Sequence, residues 1–151
     1  MQVAYSIQET PGKGKGIFAS MDINKGDLVW CVASSHHHIF SSSLDAKAIM
    51  KDEYKRVLEV AVGHISIPNQ ILYLYDDSQY FNHSESPNCG PIEDKQNDFT
   101  RLSLIAVKDI KIGEEMTENY MKYSFPLWFL EELQKYDMVP LYCDLPLQNL
   151  E

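Results

Sequence analysis

The chain has 151 residues, of which 44% are hydrophobic and 23% charged, and its formal net charge at pH 7 is −9. This length suits one compact domain, and this composition is typical of a globular protein rather than a disordered one. The acidic balance argues against nucleic-acid binding, which requires clustered Lys and Arg, and favours a basic protein partner. Acidity that only keeps the protein soluble is an equally good interpretation of the charge by itself.

The cysteines and the hydrophobic pattern indicate where in or outside the cell the protein is expected. No apolar stretch reaches the roughly 18 residues of a membrane span, and the first residues lack the basic and apolar regions of a secretory signal. Cys31, Cys89 and Cys143 are far apart and form no C-x-x-C pair, so they predict neither a disulfide framework nor a zinc site. We therefore expect an intracellular protein, nuclear or cytoplasmic, that makes no membrane contact.

Short strands are predicted in the first quarter of the chain. Val3 to Ile7 alternates weakly and is followed by a run of turn residues from Glu9 to Gly16, after which a strand resumes at Ile17. Asp27 to Val32 is short, apolar and β-favouring, which predicts a further strand. His36-His37-His38 then predicts a solvated loop rather than a metal site, because adjacent side chains on an extended chain point to opposite faces.

Two helices are predicted, one long and one short. Apolar residues recur at helical spacing between Leu44 and Val62, and Ser43 is available as the N-cap of this amphipathic helix. Pro126 to Tyr136 predicts a short C-terminal helix, with Ser124 as its cap and Pro126 in its first turn.

The remaining elements predict a β-rich α+β domain. Ile65 to Ile67, Ile71 to Tyr75 and Phe99 to Val107 are interpreted as strands. Residues 19–27 and 106–114 share the pattern A-x-x-D-I-x-x-G-[DE], offset by 87 positions (106 minus 19). This echo predicts two similar strand-turn-strand corners, each with a Gly for its backbone angles.

Three segments carry groups suited to a functional site, and each also has a purely structural interpretation. The glycine-rich run from Gly12 to Phe18 allows close approach of a ligand to the backbone, although a flexible turn explains it as well. Asn82 and His83 follow an aromatic segment and bring hydrogen-bonding groups to a strand end, where they serve a site or satisfy a tight corner. Tyr120 ends a strand, and its hydroxyl is suited either to orienting an amine or to a satisfied position in the core.

Together the three segments resemble the SET-domain family of protein lysine methyltransferases. The family pattern has a G-x-G near its start, then N-H-S-x-x-P-N, then G-E-E-x-T-x-x-Y, and this chain carries them at Gly14-Lys15-Gly16, at residues 82–88 and at residues 113–120. The resemblance spans residues 3–123 and implies a single SET domain over residues 1–151, with residues 124–151 as a short extension that packs on or closes the site. It also implies several short-stranded sheets, one inserted helix and a pseudoknot that brings the last two motifs together.

The resemblance implies S-adenosylmethionine as cofactor and no metal. The residues that it places at the cofactor are Lys13, Gly14, Lys15, Gly16, Asn82, His83 and Tyr120. Tyr120 is also implied as the catalytic residue, its hydroxyl orienting the amine of a substrate lysine. We expect Tyr75, Tyr80 and Tyr123 to bind the substrate.

The chain departs from many relatives after the catalytic tyrosine. Glu85 stands where those relatives have a Cys, and residues 121–151 contain no C-x-C-x-x-x-x-C segment, so we expect no zinc-stapled lid. Phe125 and Trp128, in an aromatic cluster with Tyr123 and Phe129, are the predicted replacement at the cofactor. A helix that packs its apolar face on the core is the alternative interpretation of the same residues.

The predicted function is methyl transfer to lysine in a protein, a histone tail or a non-histone protein. The alternative is a catalytically weak SET-fold module or complex subunit that recognises a basic partner. The sequence leaves a homodimer or a larger complex open.

Overall fold

A computed structural model of the chain describes residues 1–64, 67–92 and 102–138. The chain forms two compact units, Met1–His37 with Leu74–Tyr120, and His38–Tyr73 with Met121–Glu151. The described residues contain ten short strands and three short α-helices, which confirms the β-rich α+β class. Within them, no helix combines the length and apolar character that crossing a membrane requires.

The first unit contains a four-stranded sheet in the order β1-β2-β10-β7. Its strands are β1 (Tyr5–Thr10), β2 (Gly14–Ala19), β7 (Asn82–His83) and β10 (Glu115–Glu118). β1 and β2 form an antiparallel hairpin in which Thr10 lies opposite Gly14. The predicted strand ends were therefore wrong, since β1 continues to Thr10 and β2 starts before Ile17. Cross-strand pairing extends into the glycine-rich run and leaves only residues 11–13 for the turn.

A second sheet of the same unit has the order β3-β9-β8. It consists of β3 (Leu28–Cys31), β8 (Cys89–Pro91) and β9 (Ser103–Ala106), all paired antiparallel. β3 and β9 confirm strands predicted from apolar character, although residues 99–101 of the second prediction lie outside the described residues. Val29, Trp30 and Leu104 are buried there, so the apolar side chains supply the core of this sheet.

The two echoing segments, residues 19–27 and 106–114, pair with each other through reciprocal hydrogen bonds. Ile23 and Ile110 each donate a main-chain hydrogen bond to the carbonyl of the other, at 2.8 and 2.9 Å. Equivalent carboxylates accept equivalent bonds at 2.9 Å, Asp22 from the N–H of Ile112 and Asp109 from that of Lys25. The predicted glycine corners are confirmed, with positive φ of 95° at Gly26 and 85° at Gly113.

The second unit contains the three-stranded sheet β4-β6-β5 and the helices. The strands are β4 (His37–Phe40), β5 (Val62–His64) and β6 (Ile67–Leu74), and the helices are α1 (Ser43–Met50), α2 (Tyr54–Val60) and α3 (Leu127–Lys135). Ile71 to Tyr75 is confirmed as strand except at its last residue. The strand predicted from Ile65 begins in residues outside the described part, and Ile67 belongs to β6.

The single long helix predicted from Leu44 to Val62 was wrong. Lys51, with φ of 36°, ends α1, and a 3₁₀ turn at Lys51–Glu53 leads into α2. Ser42, rather than Ser43, is the N-cap and accepts a hydrogen bond from the N–H of Asp45 at 3.2 Å. The break lets both short helices bury their apolar residues in one core, and helical spacing on each side of a turn conceals such a break.

α3 confirms the predicted C-terminal helix, but its cap is different. Pro126 occupies the N-cap position instead of Ser124, and no side chain caps this helix. The carbonyl of Pro126 accepts from the N–H groups of Phe129 and Leu130 at 2.9 and 3.2 Å. Proline starts the helix because its φ, here −65°, is already helical and it has no N–H to satisfy.

A buried carboxylate joins the three helices. Glu132 of α3 accepts hydrogen bonds from the hydroxyl of Tyr54 at 2.9 Å and from the ammonium groups of Lys47 and Lys135, both at 2.7 Å. Burial by itself raises the pKa of Glu132, but the bonds from Lys135, Lys47 and Tyr54 outweigh it and lower the pKa to about 2. Glu132 is therefore ionised at neutral pH inside the helical core.

Candidate active site

Strand pairing in the first unit brings the three motif segments together. β10 lies between β2 and β7, antiparallel to β2 with Met116 opposite Ile17, and parallel to β7 with Thr117 opposite Asn82. Met116 and Ile17 are fully buried, so this register is fixed by the core beneath it. Residues that are up to about one hundred positions apart in the sequence therefore lie on three adjacent strands of one sheet.

Asn88, the last residue of N-H-S-x-x-P-N, holds its loop to β10. Its side-chain amide donates to the carbonyl of Glu115 at 2.8 Å and accepts from the N–H of Thr117 at 2.8 Å. Ser84 adds a third link, because its N–H donates to the carbonyl of Glu118 at 3.0 Å. Asn88 is buried, so these two bonds satisfy its amide and fix the second motif against the third.

His83 and Tyr120 form the next part of the site. The Nδ1 atom of His83 accepts a hydrogen bond from the main-chain N–H of Tyr120 at 3.1 Å, and the two ring centroids are 5.3 Å apart. The hydroxyl of Tyr120 donates to the carbonyl of Phe81. Tyr120 is thus held at its backbone and at its hydroxyl, both by the segment that carries Asn82 and His83.

Two lysines of the glycine-rich hairpin carry positive charge to the same segment. The ammonium of Lys13 donates to the carbonyl of His83 at 2.9 Å. The ammonium of Lys15 lies 5.4 Å from the ring centroid of Tyr80, which is a cation–π geometry. At Gly14 an added Cβ would meet no atom within 4 Å, so the backbone of the hairpin is open to a ligand there.

Thr10 and Glu115 are site residues that the sequence reasoning did not single out. One carboxylate oxygen of Glu115, Oε1, accepts hydrogen bonds from the side chains of Asn82 and Thr10, at 2.7 and 2.9 Å. The sequence did contain a sign of this contact. A Gly inside a strand, here Gly16, often marks a position where another group lies close to the backbone. Alternation along β10 also places Glu115 on the face opposite the buried Met116.

The other predicted aromatic residues are divided between the units. In the first unit the ring of Tyr75 is half-exposed and lies 6.1 Å from that of His36. In the second unit Phe125 stacks on Phe129 at 5.0 Å, and Trp128 meets Phe129 edge-on at 5.7 Å. Phe125 and Trp128 thus pack against the helical core, and their contact with a cofactor stays a prediction, as does the contact of Tyr123 with substrate.

Within the described residues, no group of three or more His, Cys, Asp or Glu side chains is arranged to hold a metal ion. The three adjacent histidines contact different neighbours, and the predicted solvated loop was wrong for His37 and His38, which are partly buried in β4. His36 lies against Tyr75, Nδ1 of His37 lies 3.2 Å from the hydroxyl of Ser35, and His38 stacks on Phe40 at 5.6 Å.

Residues 14–121 match the family model of the SET domain. Because the match covers more than half of the chain, this protein belongs to the SET-domain family. The resemblance carried by the three motifs is thereby confirmed.

Two protein relatives extend this comparison. The variant-silencing SET domain-containing protein of Plasmodium falciparum (isolate 3D7) is 27% identical over 124 residues, which cover 79% of this chain and 5% of that protein. The N-lysine methyltransferase KMT5A-A of Xenopus laevis is 29% identical over 119 residues, which cover 72% of this chain and 33% of that protein. The chain therefore spans one third or less of the length of these relatives.

Solved structures support the fold. Chaetomium thermophilum Polycomb Repressive Complex 2, in an autoinhibited conformation bound to S-adenosylmethionine, matches with a TM-score of 0.62 and 20% identity, covering 91% of this chain and 17% of that chain. The Neurospora SET domain protein DIM-5, a histone lysine methyltransferase, matches with a TM-score of 0.54 and 23% identity, covering 78% of this chain and 52% of that chain. The β-rich SET fold is therefore confirmed.

Proposed function

We propose that this protein transfers a methyl group from S-adenosylmethionine to the side-chain amine of a lysine in a protein substrate. The observation that carries the proposal is that the G-x-G hairpin and the Asn82-His83 pair lie on the strands either side of β10, and that His83 bonds Tyr120, which follows β10. The relatives support it, because two of them are named as lysine methyltransferases.

The residues present suit S-adenosylmethionine, a ligand with an aromatic base, a carboxylate and a sulfonium. Lys13, Gly14-Lys15-Gly16, Asn82 and His83 would hold it. The hairpin is open at Gly14, and the ammonium groups of Lys13 and Lys15 suit the carboxylate. When bound, the cofactor would supply an electrophilic methyl group and leave as S-adenosylhomocysteine.

The protein must then present a neutral amine in a fixed direction. The ordinary pKa of lysine is near 10.4, so deprotonation at pH 7 costs about 4.6 kcal/mol unless the site lowers that pKa. Aromatic walls such as the rings of Tyr120 and Tyr80 exclude water and disfavour the charged form of the amine. Tyr120, held by His83 and Phe81, orients the amine, and alignment supplies most of the acceleration.

The substrate we propose is a basic segment of a protein, such as a histone tail, in the nucleus or cytoplasm. The net charge of −9 supports this choice, because an acidic surface attracts and orients a lysine-rich chain. We also propose that the protein acts as a homodimer or within a larger complex.

The proposal is tested by calorimetric binding of S-adenosylmethionine and by methyl transfer to a panel of lysine-rich proteins. We expect the native chain to bind the cofactor and to methylate at least one substrate. Tyr120→Phe should retain cofactor binding and lose at least about 90% of transfer, because the hydroxyl that orients the amine is gone. Tyr136→Phe, which removes a hydroxyl in the second unit, is the matched control and should leave transfer unchanged.

Absence of cofactor binding by the native chain would contradict the methyltransferase proposal. Cofactor binding without transfer to any protein would favour the alternative, a module or complex subunit that recognises a basic partner.

A further inference from the structure

A residue of the second motif and a residue of β1 meet at one carboxylate oxygen of the third motif. Oε1 of Glu115 accepts from the side-chain amide of Asn82 at 2.7 Å and from the hydroxyl of Thr10 at 2.9 Å. The same amide nitrogen of Asn82 also donates to the carbonyl of Lys15 at 3.1 Å. We refer to the side chains of Thr10, Asn82 and Glu115 as the Glu115 cluster.

The cluster fixes the orientation of the Asn82 amide. A side-chain amide nitrogen has two N–H groups, and in Asn82 both have acceptors, the carboxylate of Glu115 and the carbonyl of Lys15. Because both neighbours are acceptors, the amide cannot be turned over without losing both hydrogen bonds. The carbonyl oxygen of Asn82 is therefore presented in one direction.

Gly16 is shaped to this cluster. A Cβ added at Gly16 would overlap the Glu115 oxygen and the Thr10 hydroxyl, and would lie 3.0 Å from the amide nitrogen of Asn82. The second glycine of G-x-G is thus required by polar side chains of the protein itself, independently of any approach by a ligand. In contrast, a Cβ at Gly14 would meet nothing within 4 Å.

We propose that Glu115 is a positioning residue of the cofactor site. As a hydrogen-bond acceptor shared by Thr10 and Asn82, it holds the Asn82 amide so that its carbonyl oxygen accepts from an N–H group of the bound cofactor. This inference rests on the proposed function. It assigns to Glu115 a role in cofactor affinity that is carried through Asn82 and does not depend on its charge.

The first test compares kinetic constants for variants of the cluster. Glu115→Ala should raise the KM for S-adenosylmethionine at least about tenfold while kcat changes less than about twofold, because the oxygen that accepts from the Asn82 amide is lost. Glu115→Gln keeps an acceptor oxygen and should stay within about threefold of the native KM. Glu114→Ala is the matched control, since its carboxylate bonds the N–H of Lys111 and does not contact Asn82.

A double-substitution cycle separates action through Asn82 from a general structural effect. If Glu115 acts through Asn82, Glu115→Ala should leave the KM of the Asn82→Ala variant unchanged. Effects that multiply in the double variant would overturn the proposal, as would an equal rise of KM in Glu114→Ala.

The second test needs no cofactor. In the ligand-free native protein, NMR should show the side-chain amide protons of Asn82 exchanging slowly with solvent, and Glu115→Gln should preserve this protection. Glu115→Ala should speed the exchange at least about tenfold, in line with the lost bond. Unchanged exchange in Glu115→Ala would overturn the proposal, whatever happens to the melting temperature.

Thr10→Val keeps the test decisive if Glu115→Ala does not fold. It removes the second donor to Glu115 and should speed exchange of the Asn82 amide protons by a smaller factor. Unchanged exchange would contradict the proposal that Thr10 and Glu115 together hold the Asn82 amide. If the native chain binds no S-adenosylmethionine, the proposed function fails, and the exchange measurement still decides whether Glu115 fixes Asn82.

Discussion

His83 and Tyr120, 37 positions apart, are joined by a hydrogen bond of 3.1 Å from the main-chain N–H of the tyrosine to Nδ1 of the imidazole. Nδ1 is therefore the unprotonated ring nitrogen, and the proton of the neutral ring is on Nε2. The bond fixes the start of the 3₁₀ turn Tyr120–Lys122 and with it the direction of the tyrosine ring.

Substitution of His83 should show the contribution of this bond. We expect His83→Ala to lower the free energy of unfolding by about 1–2 kcal/mol, because a partly buried N–H loses its acceptor. His83→Asn, whose side-chain oxygen can replace Nδ1, should recover part of that loss. Urea unfolding measures the difference, and His37→Ala, outside the motif, is the control. Equal stability of His83→Ala and the native chain would contradict this interpretation.

The ionised Glu132 should make stability depend on acid pH. Its pKa is about 2 when folded, against an ordinary value of 4.5, so its contribution is complete above pH 4.5 and is lost as pH falls through about 2. We expect the free energy of unfolding to decline over this range in the native chain. Tyr54→Phe removes one donor to Glu132 and raises its folded pKa, so the decline should end at a higher pH and be smaller in total.

Glu132→Gln should flatten that acid dependence. It should also lower stability at pH 7 by on the order of 3 kcal/mol, because two lysines lose their buried partner. The exposed neighbour supplies the control, since Glu131→Gln should leave both the slope and the stability unchanged. Chemical unfolding at pH values from 2 to 7 provides the measurement, and an unchanged slope in Glu132→Gln would refute the assignment.

Gly63 of the second unit should be harder to replace than Gly90 of the first unit. A Cβ at Gly63 would overlap the main-chain carbonyl of Ser124, which cannot move aside as a flexible side chain can. We expect Gly63→Ala to cost about 2 kcal/mol. At Gly90 the added Cβ would lie 3.0 Å from a methyl group of Val107, which can rotate, so Gly90→Ala should cost less than about 1 kcal/mol. Thermal unfolding measures the loss of stability in both variants. A larger loss in Gly90→Ala than in Gly63→Ala would contradict this prediction.

Cys89 should be chemically inert in the folded protein. It is fully buried, and burial raises the pKa of its thiol to about 12, whereas Cys31 is partly exposed. In a Cys143→Ser background at pH 8, iodoacetamide should modify Cys31 at least about tenfold faster than Cys89, since the thiolate is the reactive form. Mass-spectrometric peptide mapping gives both rates, and denaturant should remove the difference. Equal rates before denaturation would show that Cys89 is accessible.

The sequence by itself determined the motif chemistry and much of the local structure. Gly14-Lys15-Gly16, Asn82, His83 and Tyr120 are recognisable because their order and spacing are written along the chain. The strands β3 and β9 and the helix α3 follow from apolar patterns only a few residues long, and the glycines at 26 and 113 follow from turn chemistry.

The tertiary structure alone decided which distant groups meet. Thr10 and Glu115 are 105 positions apart, and their bond depends on the register of β10 against β2, which the buried Ile17 and Met116 impose. The same dependence on packing ended α1 at Lys51, where helical spacing alone gave no sign of a break. A local pattern indicates which element a segment can form. Which strand it pairs with depends on the free energy gained when the apolar side chains of both strands are buried together.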